Sequence, residues 1–175
     1  MTSTSSWRSL RTRTGLRNLT ATGAAALASA GLGAAATTPD ADWYRDLQKP
    51  PWSPPSIVFP LVWTPLYTDI AVTSAAALTR LEQEGRHDEV AALRRALAIN
   101  LVLNTGWSVL FWQARRPWLA AAWSGLLAAH SAALVGRVAK VDSSLGAALA
   151  PYPLWCGFAT ALNTSIARRG PRVKT

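Results

Sequence analysis

Cysteine is all but missing from this chain. Cys156 is the only one in 175 residues, which excludes an intrachain disulfide and a zinc site built on cysteines. Charge is scarce too, at 15 % of residues against roughly 25 % in an average soluble domain. Acids are scarcest: nine stand against eighteen Lys and Arg, and none precedes Asp40. No glycine-rich phosphate loop, Ser-His-Asp arrangement or cluster of metal-ligating side chains appears in the order of residues. Tyrosine and phenylalanine number three each, yet there are nine tryptophans. Half of the chain is apolar, which excludes disorder for most of it. The mean hydropathy is only +0.12 because alanine, which supplies much of that half, scores weakly.

The position of the missing charges is more informative than their number. No Asp, Glu, Lys or Arg occurs in residues 18–39, 96–114, 117–136 or 143–167, and Asp69 alone interrupts residues 50–79. A helix needs about 20 mostly apolar residues to cross a bilayer core. Five such runs between short charged clusters predict an all-α, five-helix transmembrane bundle, multi-pass and integral to the membrane. The expected spans are 18–39, 55–79, 93–114, 117–137 and 144–167, flanked by basic tails at 1–17 and 169–175. A soluble bundle would need a polar outer face on each helix, and residues 101–112 have none. The net charge of +9 is spread over six small clusters, as at span ends facing anionic headgroups. A nucleic-acid surface would gather it on one face, so no nucleic-acid partner is expected.

The first 39 residues hold four arginines and no acid, the composition of a signal or transit peptide with residues 24–36 as its apolar core. The alternative, favoured here, is a first helix whose Ala, Gly and Ser let a neighbour approach closely. Lys and Arg number ten on the N-terminal side and eight on the other, too even for the positive-inside rule to orient the bundle. The acid-free, Arg- and Thr-rich start and the abundance of alanine point to a bacterial chain, hence a bacterial cell membrane.

Before the second span, Pro50, Pro51, Pro54 and Pro55 stiffen a segment that also carries Trp43, Tyr44 and Trp52. It reads either as an interfacial aromatic anchor or as a rigid lid over a cavity. The following helices each align one mixed stripe at helical spacing. These are Phe59, Trp63, Leu66, Tyr67 and Ile70 in the second, Asn100, Asn104, Trp107 and Phe111 in the third, and Tyr152, Trp155, Ala159 and Asn163 in the fifth. Uncharged polar groups within a bilayer must face protein or a cavity. Each stripe is therefore either helix packing or one wall of a flat aromatic pocket.

The run WYRDLQKPPWSPPSIVFPLVWTPLY at residues 43–67 resembles the signature of the TspO/MBR family, the tryptophan-rich sensory and translocator proteins. LVLNTGW at 101–107, Phe111-Trp112 and PYPLWCGFATALN at 151–163 extend the likeness over about residues 21–168. The resemblance implies a five-helix membrane bundle, often a homodimer, that binds porphyrins such as protoporphyrin IX with no required cofactor or metal. Carried over by position, Trp52, Trp63, Tyr67, Asn104, Trp107, Tyr152, Trp155 and Ala159 would line the pocket. Phe59, Asn100 and Phe111 join them from the stripes. The implied role is a sensor, receptor, scavenger or transporter of tetrapyrroles. The alternatives are light- and oxygen-dependent porphyrin degradation, with Trp63 and Trp155 as the photochemical indoles, and a pocket that holds lipid or sterol.

Some positions depart from the family pattern. Asn100 replaces a usual glutamine, and Ser108-Val109 stand where prolines are common, so the third helix is expected to be straighter. Thr164 follows Leu162-Asn163 where animal members carry a tyrosine, so their cholesterol motif is not expected. Asp69, two residues or about 200° beyond Tyr67, is expected to point away from the aromatic stripe. It is either a protonated, hydrogen-bonded packing group or a functional carboxylate. His87 reads as solvated, His130 as a packing residue or an iron ligand, and Cys156 as a small apolar side chain.

Overall fold

The computed structural model describes residues 3–170, so most of the expected C-terminal tail and the first two residues of the N-terminal one lie outside the described residues. Every regular element among the described residues is helical. In chain order they are α1 (Ser3–Ser9), α2 (Arg13–Ala36), α3 (Asp42–Asp46), α4 (Val58–Gln83), α5 (His87–Ser108), a π-helical turn (Val109–Gln113), α6 (Pro117–Val141), α7 (Ser143–Leu149) and α8 (Pro151–Arg169). Three units, α2, α6 and the combined α7–α8, are long and apolar enough to cross a membrane. α4 and α5 have the length, 26 and 22 residues. Their prolines, indoles, amides and charged ends lower their hydropathy.

Helix ends overrun the charge-free runs. α2 starts at Arg13, where the Thr12 hydroxyl accepts the Gly15 N–H at 3.0 Å as an N-cap. α4 continues through Arg80 to Gln83. A helix extends past the apolar core with no penalty once its side chains reach water. Residues 3–9, within the stretch expected as a tail, form α1, which packs on α4 and α7. Ser6 Oγ donates to Asp142 Oδ2 at 2.6 Å, and Arg80 Nη1 donates to the same oxygen at 2.9 Å. The last rod divides at Ala150 because Pro151 and Pro153 open α8, where their missing N–H groups would be unpaired in any case.

Of the small residues expected to let a neighbour approach, Ala26, Ser29 and Gly33 lie on the face that α2 buries, together with Gly15, Asn18 and Thr22, while Gly23 and Gly31 face open space. Polar side chains stitch it to its neighbours. Thr22 Oγ1 donates to the Ala71 carbonyl of α4 at 2.8 Å, and Ser29 Oγ to the Leu101 carbonyl of α5 at 3.2 Å. Such interhelical bonds contribute about 0.6 kcal/mol each in a membrane bundle.

The third long helix corrects the expectation of straightness. After Ser108 it widens into the π turn, where the Ala114 N–H reaches back to the Val109 carbonyl at 2.9 Å. One turn earlier, the Trp123 indole lies on Gly106 and its Nε1 donates to the Leu103 carbonyl at 2.7 Å. A side chain entering the i to i−4 ladder disturbs helical winding without a proline. Small residues at 33, 106 and 146 allow close approach elsewhere, Gly146 lying directly against Ala139.

Candidate functional site

α4 and α8 hardly touch through their backbones; aromatic rings fill the space between them. Phe59 on α4 meets Trp155 on α8 edge-on at 6.1 Å, and Trp63 meets Tyr152 at 6.3 Å. Along each wall the rings continue, Trp63 to Tyr67 at 5.5 Å and Trp155 stacked on Phe158 at 5.0 Å. From the proline-rich segment Trp52 closes the row, its ring edge-on to Phe158 at 5.9 Å while half of its surface stays exposed.

Behind the rings runs a directed chain of hydrogen bonds. Tyr67 donates to Asn104 Oδ1 (2.9 Å), and Asn104 Nδ2 donates to the Tyr152 hydroxyl (3.2 Å). Tyr152 in turn donates to Asn100 Oδ1 (2.7 Å), and Asn100 Nδ2 to Ser131 Oγ (3.0 Å) and His130 Nδ1 (3.3 Å). Tyr152 is fully buried, so the chain is sealed at its centre and ends at Tyr67 beside the rings. The indole Nε1 groups of Trp155 and Trp107 are different: both are buried and have no partner among the described residues. An unsatisfied buried donor costs about 1–3 kcal/mol.

Trp107 and Phe111 belong to a second cluster. They stack on each other at 5.4 Å, and Phe111 carries Trp43 (5.5 Å) and Tyr44 (6.2 Å) of α3. Tyr44 also packs on Trp112 at 4.5 Å and takes the Lys49 ammonium over its face at 3.6 Å, a cation–π contact. With Leu47 buried and the Gln48 N–H donating to the Gly170 carbonyl at 3.2 Å, the loop is fastened across the ends of the π turn and α8.

A family model described as TspO/MBR matches residues 21–169. The chain belongs to the TspO/MBR family. Over 139 residues it is 36 % identical to the tryptophan-rich sensory protein of Cereibacter sphaeroides, covering 77 % of this chain and 83 % of that one. Protein CrtK of Rhodobacter capsulatus is 35 % identical over 152 residues, 85 % of this chain and 91 % of the relative. The human translocator protein is 36 % identical over 129 residues, 72 % and 73 % of the two chains. This is a membrane-protein family with bacterial and animal members alike.

Within this TspO/MBR chain the sequence-derived residues divide. Phe59, Trp63, Tyr67, Asn100, Asn104, Tyr152 and Trp155 come together between α4, α5 and α8. Trp52 joins them through Phe158, while Trp107 and Phe111 support the loop. Ala159 is half-buried one turn beyond Trp155, its carbonyl accepting Asn163 Nδ2 at 2.7 Å. Asp69 is outside the network, half-buried, with its backbone carbonyl accepting the Thr73 hydroxyl at 2.6 Å. Phe158 and Ser131 are the participants that periodicity missed. Phe158 carried a usable signal, three residues after Trp155 on one helix face.

Proposed function

We propose that this protein is a five-span integral membrane protein of a bacterial cell membrane that binds porphyrin-type tetrapyrroles as a sensor, scavenger or transporter, and works as a homodimer. The observation that carries the reading is Trp155. It is sandwiched between Phe59 and Phe158, its buried N–H has no acceptor among the described residues, and a second aromatic wall stands opposite. A flat macrocycle would part these touching rings and stack against them, with an acceptor at its edge satisfying the indole N–H. The proline-stiffened loop over the helix ends suits a closure that excludes water. The names of the relatives, sensory protein and translocator protein, agree with ligand recognition without defining the ligand.

Titration of the detergent-solubilised protein with protoporphyrin IX in the dark, followed by tryptophan fluorescence, tests this. Saturable micromolar quenching that weakens at least fivefold in Trp155→Phe and Trp63→Phe supports the pocket; quenching that never saturates overturns it. Illumination of the same complex separates the second reading. Trp63 and Trp155 place electron-rich rings on facing walls, so a light- and oxygen-dependent product band lost in both variants identifies a degradative activity. Binding without product leaves a sensor or carrier.

A further inference from the structure

We propose a second binding site, at the opposite end of the bundle: a groove between α2, α4 and α5 that holds an anionic membrane glycerophospholipid, with Arg17 and Arg94 gripping its phosphodiester. The groove has a volume of about 1080 Å³. At its rim one carboxylate serves two guanidinium groups. Glu82 Oε2 accepts from Arg17 Nη2 at 2.7 Å and Glu82 Oε1 from Arg94 Nη2 at 2.6 Å. Both oxygens of Glu82 are thus taken, one positive charge is left over, and the arginines remain 66 % and 53 % exposed. Their unused N–H groups are a pre-oriented, planar donor set of the kind that matches phosphate oxygens. Arg94 is steadied further by Asn18 Oδ1 at 3.4 Å.

Below the rim the groove is apolar. Leu78, Leu97 and Leu101 form its buried floor, and Ala21, Ala25 and Ala98 its open walls. Its polar side chains are turned inward and occupied: Thr22 Oγ1 donates to the Ala71 carbonyl at 2.8 Å, and Asn18 Nδ2 to Thr79 Oγ1 at 3.2 Å. From Arg17 to Ala25 the groove runs about 12 Å along α2 at 1.5 Å per residue, the direction an acyl chain takes from a headgroup at the bundle's end. A free anion would use the rim and leave the floor empty; an amphiphile uses both. On α4, Glu82 lies about 28 Å from Trp63 by the helical rise, so this site is separate from the aromatic one.

Native mass spectrometry of the full chain in neutral detergent, with dioleoylphosphatidylglycerol, dioleoylphosphatidylcholine and sodium phosphate as probes, decides the matter. The expected result is phosphatidylglycerol retained at least tenfold more tightly than phosphatidylcholine and not displaced by equimolar phosphate. The preference falls to within twofold in Arg17→Gln/Arg94→Gln and also in Ala98→Phe, which blocks the acyl track and keeps both arginines. It survives in Arg137→Gln, an exposed arginine away from the groove. Equal retention of the two lipids in the wild type, displacement by phosphate, or a preference intact in both groove variants overturns the proposal. So does an Ala98→Phe chain that loses dimer mass while keeping its phosphatidylglycerol, since a second copy then fills the groove. Porphyrin quenching in each variant reports that the fold is intact.

Discussion

Tyr152 and Trp155 sit within one turn of each other on α8 and have opposite hydrogen-bond status. Tyr152 is fully buried with its hydroxyl engaged on both sides, by Asn104 Nδ2 and Asn100 Oδ1. Tyr152→Phe leaves an amide N–H and an amide carbonyl in the interior without partners, at about 1–3 kcal/mol each. A clear fall in melting temperature in detergent is expected. Trp155→Phe removes a donor that had no acceptor, so its melting temperature stays near the wild-type value while porphyrin affinity drops. A Trp155→Phe protein that melts as low as Tyr152→Phe would show the indole to be a packing group only. Most of these residues were legible from spacing, since Phe59, Trp63 and Tyr67, or Asn100 and Asn104, fall on one face of any helix. Which donor is satisfied was not legible, because that depends on partners contributed by other helices. Trp107 shares a helical stripe with Asn104 and Phe111, and its stacking on Phe111 under the loop depends likewise on residues of other elements.

Local elements depend on a few contacts that sequence periodicity does not encode. The π turn is one, linked to a tryptophan on α6 lying on a glycine of α5. A Cβ added at Gly106 would lie 3.0 Å from Trp123 Cζ2, so Gly106→Ala pushes the ring off the Leu103 carbonyl. Overpacking of this kind costs about 1–3 kcal/mol, read as a lowered melting temperature, with Trp123→Phe in the same background restoring part of it. A neutral Gly106→Ala would mean that the indole does not hold the helix there. Asp142 is another such contact. It caps α7 through the Ser144 N–H at 2.9 Å and joins α1 to α4 through Ser6 and Arg80. Burial alone would raise its carboxyl pKa, but hydrogen bonds from Ser6 and Ser144 and the Arg80 charge outweigh burial and hold it at about 2. The folded value lies below the unfolded one of about 3.9, so the unfolded state binds the proton first. The stabilisation is complete above about pH 4 and is lost as pH falls through about 2. Asp142→Asn is therefore expected to melt lower than the wild type at pH 7, with the two converging from pH 4 downward; parallel curves would remove the carboxylate from this role.

Across the whole molecule, hydrogen bonds and ion pairs assign each loop to an end of the bundle without reference to any membrane. Ser6, Arg80 and Asp142 meet at one end, with Arg17, Glu82 and Arg94 nearby. At the other, Gln113 Nε2 donates to the Ala36 carbonyl at 2.6 Å and the Gln48 N–H to the Gly170 carbonyl at 3.2 Å. The rods themselves were legible as charge-free runs, because a helix in lipid satisfies its own backbone and needs only apolar side chains. The sidedness was not, since ten basic residues against eight is no field to speak of. Accessibility resolves it. With Cys156, a buried neighbour of Ser131 at 3.9 Å, replaced by serine, single cysteines go in at the exposed positions Thr12, Asp88 and Ser143 and at the half-buried Ser53 and Gly170. In sealed, uniformly oriented vesicles a membrane-impermeant maleimide is expected to label Thr12→Cys, Asp88→Cys and Ser143→Cys as one group, and Ser53→Cys and Gly170→Cys as the other. The group on the lumenal side reacts only after permeabilisation. Thr12→Cys and Gly170→Cys reacting from the same side would mean an even number of crossings, and the five-span arrangement, with the aromatic walls and the arginine groove at opposite faces of the bilayer, would fail with it.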